Sequence, residues 1–324
     1  MRRVDAHIHF NGNHPASARL LDELNVKMLN ICLGLDNHGA WRGQAERYGA
    51  MTKKYPEHYA WCTSFDLPRF DDRGYVDKVI NQLDRDFSDG AIACKAWKNL
   101  GMEVKHPDGR WFTVDDPLLE PVFDYLSKAG KPLMMHIGEP LACWQPLDPR
   151  SPHYGYYSVN PQWHMHNRKE FLSHGELVQS RDNICAKHPK LKVIGAHFAS
   201  VEYDVDEVAK HLDKYPNLAV DTSARLGDMM IQPTAKVRKF FMNYQDRILF
   251  GTDIFTNWDV PNMTDAQRND LHADVKDCTR AWFEFLSLDS TVKYQQWSVP
   301  GIGLPKDVVE KVVLHNAKTW YPGV

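Results

Sequence analysis

Short apolar segments alternate with longer amphipathic segments along the whole chain. Eight of the apolar segments have the length and composition of β-strands: residues 4–9, 26–33, 59–65, 91–97, 132–137, 192–197, 218–222 and 248–252. Several of them are apolar over nearly their whole length, which is typical of parallel strands that are covered on both faces. Eight such strands joined by helices predict an α/β fold, a closed (β/α)8 TIM barrel.

The segments between these strands carry helix signals. Helical patterns run over residues 72–87, 116–129, 173–188, 205–215 and 306–320. The second of them begins with Asp116 and Pro117 and ends with Lys128, Ala129 and Gly130, the order that capping and the helix dipole favour. The sequence has no internal repeat and no Gly/Ser-rich linker, so we predict one domain over residues 1–324.

Two of the connections that follow strands are longer than βα loops usually are. Residues 138–171 follow the fifth strand, and residues 254–299 follow the eighth and contain a helical pattern over 266–286. The βα loops of a barrel build its active-site face, so we predict that both loops form a lid. Trp97, at the end of the fourth strand, and Trp258, in the second loop, are candidates for contacting a planar or cyclic substrate, although aromatic residues in long loops often only pack the loop down.

Composition narrows the range of functions. Hydrophobic residues make up 43% of the 324 residues and charged residues 25%, as in soluble globular proteins. The net charge is −3 and the basic residues are dispersed, which disfavours nucleic acid as a partner. No apolar segment approaches the roughly 20 residues of a membrane span, and no secretory signal precedes the first strand, so we expect a cytoplasmic protein. The six cysteines form no CxxC pair, which argues against a thiolate zinc site.

Histidine and aspartate residues stand at the predicted C-terminal ends of several strands. His7 and His9 end the first strand, and the alternation of side chains in a strand places them on one face. His136 ends the fifth strand, His197 ends the sixth, and Asp253 follows the eighth. Barrel enzymes keep their catalytic groups at these ends, and imidazole and carboxylate are ligands of divalent cations such as zinc. The pattern therefore predicts a metal site.

These positions and their neighbours resemble the amidohydrolase superfamily. More narrowly, they are similar to its amidohydrolase-related branch of hydrolases, lactonases and nonoxidative decarboxylases such as aminocarboxymuconate-semialdehyde decarboxylase. The resemblance extends from Val4 to about Ala317 and is carried by His7-Ile8-His9, Met134-Met135-His136-Ile137-Gly138-Glu139-Pro140, Ile194-Gly195-Ala196-His197, Asp221-Thr222-Ser223 and Leu249-Phe250-Gly251-Thr252-Asp253. This ordered set is specific for the superfamily but not for a substrate.

The resemblance implies a mononuclear metal site. One divalent ion would be held by His7, His9, His136 and Asp253. Zn²⁺ is the first choice for this ion and Mn²⁺ the second. His197 would stay off the metal and transfer protons or polarise the substrate. A zinc ion lowers the pKa of its bound water toward about 7, and Asp253 would pass the proton of that water to the leaving group.

Three further residues have more than one interpretation. Lys95 stands where binuclear members carry a carboxylated lysine between two metals; a plain lysine would bind a substrate carboxylate or form a structural ion pair, and we favour these two roles. Glu139 would reach the substrate, orient a metal ligand or act as a solvated carboxylate. Arg225 would meet an anionic substrate or a surface acid. Asp221 is a candidate for a hydrogen bond to His197.

The predicted function is hydrolysis of an ester, lactone or amide bond in a small organic molecule by metal-activated water. The first alternative is metal-dependent nonoxidative decarboxylation of an aromatic or unsaturated carboxylic acid. The second is a catalytically inactive barrel that binds a metabolite, which the complete set of ligand positions disfavours. The expected partner is a small-molecule substrate. We expect no binding to a membrane, and assembly into a homo-oligomer stays open.

Overall fold

Eight parallel strands form one barrel in the computed structural model, which describes residues 1–36, 38–255 and 263–324. Their order around the barrel is their order in the chain: β1 Arg3–Ile8, β2 Val26–Ile31, β3 Tyr59–Thr63, β4 Ala93–Ala96, β5 Leu133–Met135, β6 Val193–Gly195, β7 Leu218–Asp221 and β8 Ile248–Leu249. The barrel closes between its first strand and the chain after β8, where Ala6 donates to the Phe250 carbonyl at 2.8 Å and Asp253 donates to the His7 carbonyl at 2.8 Å. The predicted TIM barrel is confirmed.

Helices follow the strands, and each of the five predicted helices is present. The longer ones are Pro15–Leu24, Arg42–Lys54, Tyr75–Ser88, Glu120–Lys128, His174–Lys187, Val205–Lys214, Thr234–Asn243 and Asp265–Ser287. Shorter helical segments cover Asn99–Met102, Tyr154–Val159, Ala196–Ala199 and Leu226–Met230. The closing helix has three parts: Lys306–Glu310, a π-helical turn at Lys311–His315, and Asn316–Trp320. Within the described ranges, no helix has both the length and the apolar character that crossing a membrane requires.

The inside of the barrel is filled by a buried cluster to which every strand contributes. Its members are mostly small or aliphatic: Val4, Ala6, Leu29, Ile31, Ala60, Cys62, Ala93, Met134, Ile194, Ala196, Ala219 and Leu249, with Trp320 and Tyr321 from the chain's last residues. On β1, strict alternation from Val4 and Ala6 would turn His7 outward. The register of β1 against β2 shifts between Asp5 and Ile8, and this bulge turns His7 into the barrel while Ile8 packs in an outer cluster.

The two long loops follow the C-terminal ends of β5 and β8, and the second is described from residue 263 onward. The second loop holds the helix Asp265–Ser287, where residues 266–286 were predicted, and an antiparallel hairpin, β9 Thr291–Tyr294 and β10 Trp297–Pro300, that was not predicted. His153 from the first loop and Trp297 from the second line one cavity together with Thr252, which follows β8. Described residues of both loops thus line one cavity, whose lining does not include His7, His9, His136 or Asp253, so a lid over the candidate site stays a prediction.

Candidate metal centre at the strand ends

Three of the four predicted metal ligands converge on one point. Asp253 Oδ1 lies 3.5 Å from His7 Nε2 and 3.5 Å from His9 Nε2. Two atoms that each bind a zinc-like ion at about 2.0–2.2 Å in tetrahedral geometry are separated by roughly 3.4 Å. The spacing of these atoms therefore fits a divalent cation between them.

Hydrogen bonds on the far side of each imidazole ring aim its Nε2 at this point. His7 Nδ1 lies 2.8 Å from Oδ2 of Asp221, and His9 Nδ1 lies 2.7 Å from the carbonyl of Ile31. An ionised carboxylate and a carbonyl only accept hydrogen bonds, so each ring donates from Nδ1, and Nε2 is the atom that faces the point of convergence. Partners of this kind fix the ring orientation of metal-binding histidines and raise their basicity.

His136 and His197 form a pair beside the three converging ligands. His197 Nε2 lies 3.2 Å from His136 Nδ1 and 3.9 Å from Asp253 Oδ2. His136 does not belong to the group of His7, His9 and Asp253, whose ligand atoms lie within 4.8 Å of one another. Its Nε2 is nevertheless buried and makes no hydrogen bond within the described residues, so this nitrogen is a potential ligand atom.

Lys95 borders the same point from β4. Its side chain is buried, and its Nζ lies 3.0 Å from His7 Nε2, the atom that faces Asp253. Burial lowers the pKa of Lys95 to about 8, against the opposing effect of the Asp253 and Asp221 carboxylates. Lys95 is thus a neighbour of the metal-facing atoms, and not a surface cation at the pocket mouth.

The electrostatics of the site leave the ligands in the forms that a cation binds. Burial raises the pKa of Asp253, but the neighbouring His7, His197 and His9 lower it more. The pKa of this carboxyl therefore lies well below its usual range, and the group is ionised. Burial lowers the pKa of His9, His136 and His197, so these rings are neutral near pH 7. Neutral imidazoles and an ionised carboxylate are the protonation states required for metal binding.

Ser223 and Asp221 connect the site residues on the side away from the predicted metal. The Ser223 hydroxyl lies 2.9 Å from Nδ1 of His7 and 2.9 Å from Nδ1 of His197, and it donates to Asp221 Oδ1. Asp221 Oδ1 also accepts from the backbone N–H of His197 at 2.9 Å, so the predicted bond between these residues runs through the backbone. Sequence analysis missed Ser223, although it lies two residues after Asp221 in the same motif.

A left-handed turn carries His197. The φ angles of His197, Phe198, Ala199 and Ser200 are 58°, 52°, 60° and 59°, and none of the four is glycine. This conformation costs roughly 1–2 kcal/mol for each such residue. Arg181 donates to the Ala199 carbonyl, and His174 Nε2 lies 2.7 Å from the Ser200 carbonyl. Strain of this kind is maintained where surrounding contacts over-determine it, often at functional sites.

The close approach of Gly195 to this turn predicts a loss of stability on substitution. A Cβ at Gly195 would lie 2.5 Å from the Cβ and 2.9 Å from the Cα of Ala199. We expect Gly195→Ala to lower the free energy of unfolding by about 1–3 kcal/mol, measured by urea denaturation. Ala199→Gly is the matched control, because it removes a Cβ from a left-handed residue and is expected to be neutral or stabilising. Equal stability of Gly195→Ala and wild type would contradict this packing.

His174 predicts a pH dependence of stability. Burial lowers the pKa of His174 to about 4, against an ordinary value of 6.5. The unfolded chain therefore binds more protons between these pH values, and the stabilisation is complete above pH 6.5 and lost as the pH falls toward 4. We expect His174→Gln, which retains a donor for Ser200, to lose less stability than wild type on acidification, by up to about 3 kcal/mol at pH 4. Identical pH profiles of unfolding for the two proteins would exclude this role.

The predicted substrate-binding residues on β4 and β5 are engaged by the protein itself. Glu139 is buried, its Oε1 accepts from Lys98 Nζ, and its Oε2 accepts from the Tyr157 hydroxyl at 2.8 Å. Lys98 Nζ also lies 4.1 Å from the ring centre of Trp163 and 5.5 Å from that of half-buried Trp97. Glu139 thus ties the start of the first long loop to Lys98, which follows β4, and to Tyr157 later in the same loop, an arrangement that neither the solvated nor the substrate-contacting interpretation described.

Arg225 and Trp258 complete the set of predicted substrate contacts. Arg225 is buried, donates from Nη1 to the Ala224 carbonyl at 3.1 Å, and has its Nε 3.8 Å from Glu202 Oε1. Its acidic neighbours are therefore buried groups, where the sequence suggested a surface acid. Trp258 lies outside the described residues.

Comparison with known proteins is consistent with this architecture. A family model described as Amidohydrolase matches residues 4–323. A search of curated proteins found no match.

Three solved structures of similar proteins represent three reactions. The chain is similar to 2,6-dihydroxybenzoate decarboxylase complexed with 2,6-dihydroxybenzoate over 99% of both chains, at 14% identity and a TM-score of 0.53. It is similar to a probable 2-pyrone-4,6-dicarboxylic acid hydrolase from Acinetobacter baumannii over 99% of both chains, at 10% identity and a TM-score of 0.51. For 4-oxalomesaconate hydratase from Rhodopseudomonas palustris, the match covers 95% of this chain and 82% of that chain, at 13% identity and a TM-score of 0.52. At these identities the likeness is one of fold.

Proposed function

The chain belongs to the amidohydrolase family, and we propose that it is a metal-dependent hydrolase of a small organic molecule with an ester, lactone or amide bond. The observation that carries the proposal is the convergence of His7 Nε2 and His9 Nε2 on Asp253 Oδ1, each at 3.5 Å. His7 and His9 are buried and Asp253 is partly exposed at the C-terminal ends of β1 and β8, where barrel enzymes carry out their chemistry.

The donor set fits a first-row divalent cation. His7, His9 and Asp253 offer two imidazoles and one carboxylate, which suit zinc, with manganese as the second choice. His136 is the proposed fourth ligand, because its buried Nε2 makes no hydrogen bond. A divalent cation at this position supplies Lewis acidity, which polarises a substrate carbonyl and acidifies water.

Asp253 and His197 are the proposed proton-transfer residues. Oδ1 of Asp253 faces the two histidines, while its Oδ2 lies 3.9 Å from His197 Nε2 on the other side. Asp253 can therefore accept a proton from the attacking water on one oxygen while the other stays among the ligands. The ring of His197 is held at Nδ1 by the Ser223 carbonyl at 2.8 Å, so its Nε2 is directed at the reacting groups.

Decarboxylation of a carboxylic acid is the second candidate function. The observation that favours it is the presence of Lys95, Lys98 and Arg225 near His136, whose pKa is lowered first by burial and further by these and by His197. A positive potential at this point attracts an anionic substrate such as an aromatic carboxylate. In that reaction the cation would anchor the carboxylic acid, and Asp253 would deliver a proton to carbon.

A product analysis separates these functions. Protein loaded with zinc or manganese is incubated with lactones, amides and hydroxybenzoates, while acid release and carbon dioxide are both followed, with Asp253→Asn as the matched control. Hydrolysis predicts acid release without carbon dioxide. Carbon dioxide release from hydroxybenzoates alone would replace the proposal with decarboxylation. Substrate binding without turnover in any of these classes would instead favour the inactive barrel.

A further inference from the structure

A second group of potential metal ligands lies between three loops on the C-terminal side of the barrel. His153 comes from the long loop after β5, Glu202 follows β6, and Asp228 lies in the short helix Leu226–Met230 after β7. His153 Nε2 is 2.9 Å from Asp228 Oδ1 and 3.8 Å from Glu202 Oε1. One ligand atom from each residue lies within 4.8 Å of the other two, which is the spacing of a cation site.

The carboxylates of this group are buried without enough hydrogen bonds. Glu202 is 1% exposed and Asp228 is 3% exposed. Among the residues that the structure describes, neither oxygen of Glu202 has a hydrogen-bond partner, and Oδ2 of Asp228 has none. Burying an ionised carboxylate costs several kcal/mol unless hydrogen bonds or an opposite charge compensate for it. Both side chains thus present oxygens to a position that the surrounding protein does not fill with a donor.

The neighbouring charges do not balance the group. Arg225 Nε lies 3.8 Å from Glu202 Oε1, beyond hydrogen-bond distance, and Arg225 Nη1 donates to the Ala224 carbonyl. One guanidinium can offset one of the two buried carboxylates. A cation bound between the three side chains would offset the remaining negative charge.

A cavity leads to the group from solvent. It has a volume of about 470 Å³ and is lined by His153, Glu202 and Asp228 together with exposed residues such as Tyr203 and Arg150. This cavity is large enough for a hydrated cation to enter and lose its water at the carboxylates. Its lining contains none of the three converging residues His7, His9 and Asp253.

We propose that His153, Glu202 and Asp228 form a second divalent-cation site, which fastens the loop of residues 138–171 to the ends of β6 and β7. One imidazole and two carboxylates favour zinc or manganese over magnesium or calcium, which prefer oxygen ligands alone. The cation replaces the proton by which His153 Nε2 bonds Asp228. The site is independent of the proposed hydrolase function, because it shares no residue with the barrel ligands.

Metal content per chain tests this proposal. The whole protein is equilibrated with zinc, dialysed and measured by plasma mass spectrometry. We expect about two equivalents in wild type and about one in both His153→Gln and Glu202→Gln. His164→Gln is the matched control, because His164 is a half-buried histidine of the same loop that lies outside the group, and it should keep both equivalents.

Further variants identify where each ion resides. The double variant His7→Asn with His9→Asn should lose the barrel ion and keep the second, and zinc should still slow proteolytic cleavage within residues 138–171 of that protein. His153→Gln should abolish this protection.

An unchanged metal content in His153→Gln, or a second equivalent lost in Lys95→Ala but retained in His153→Gln, would overturn the proposal. Loss of the barrel ion alone would leave the second site standing, so the two proposals fail separately. If Glu202→Gln does not fold, His153→Gln decides the result.

Discussion

Asp253→Ala is expected to lower kcat/KM by about a thousand-fold or more and to weaken metal binding. Asp253 Oδ1 stands among the converging ligand atoms, and its ionised carboxyl is the proposed proton acceptor, so one substitution removes both a ligand and a base. Loss of general acid–base catalysis alone typically costs about 10²–10⁴-fold in rate. The measurement is steady-state kinetics on the substrate found in the product analysis, with metal content determined on the same samples.

Asp253→Asn separates the two roles of this residue. The amide keeps the shape and one oxygen ligand but cannot accept the proton, so we expect activity to fall nearly as far as in Asp253→Ala while more metal is retained. Activity of either variant within about tenfold of wild type would show that Asp253 is not the proton-transfer residue.

His197→Ala is expected to lower activity by about 10²–10⁴-fold while the barrel ion is retained. His197 Nε2 contacts His136 and lies 3.9 Å from Asp253 Oδ2, but the ring is not part of the group of His7, His9 and Asp253. In a mononuclear centre it therefore acts on the substrate and not on the metal.

The retained metal is the decisive part of this result. In a binuclear centre bridged by carboxylated Lys95, His197→Ala would instead release one ion from the barrel. Measuring His197→Ala in a His153→Gln background removes any contribution from the second proposed site. A fall in metal content on His197→Ala in that background would contradict the mononuclear assignment.

The sequence predicted the barrel and most of the site because both depend on local patterns. His7, His9 and Asp253 could be found from their positions at strand ends, since parallel strands in a barrel bring these ends together. Strict alternation gave the correct pairing of His7 with His9, but it did not reveal the bulge between Asp5 and Ile8 that turns both inward.

Other features depend on contacts between distant segments, which no local pattern records. The left-handed turn at His197 contains no glycine to announce it and is maintained by contacts from Arg181, His174 and Asp221. The contact of His136 Nδ1 with His197 Nε2 at 3.2 Å joins two strand ends and has no signal in the sequence, and the role of His136 as a metal ligand stays a prediction. The group of His153, Glu202 and Asp228 spans three loops, and its members have no characteristic spacing in the sequence.

The central claim, a divalent cation held by His7, His9 and Asp253, is tested most directly by anomalous diffraction from crystals of the zinc-loaded protein. Data collected above and below the zinc absorption edge locate each ion without reference to activity. We expect an anomalous peak about 2.0–2.2 Å from His7 Nε2, from His9 Nε2 and from an oxygen of Asp253. A protein that carries at least one zinc per chain but shows no peak between these three residues would contradict it.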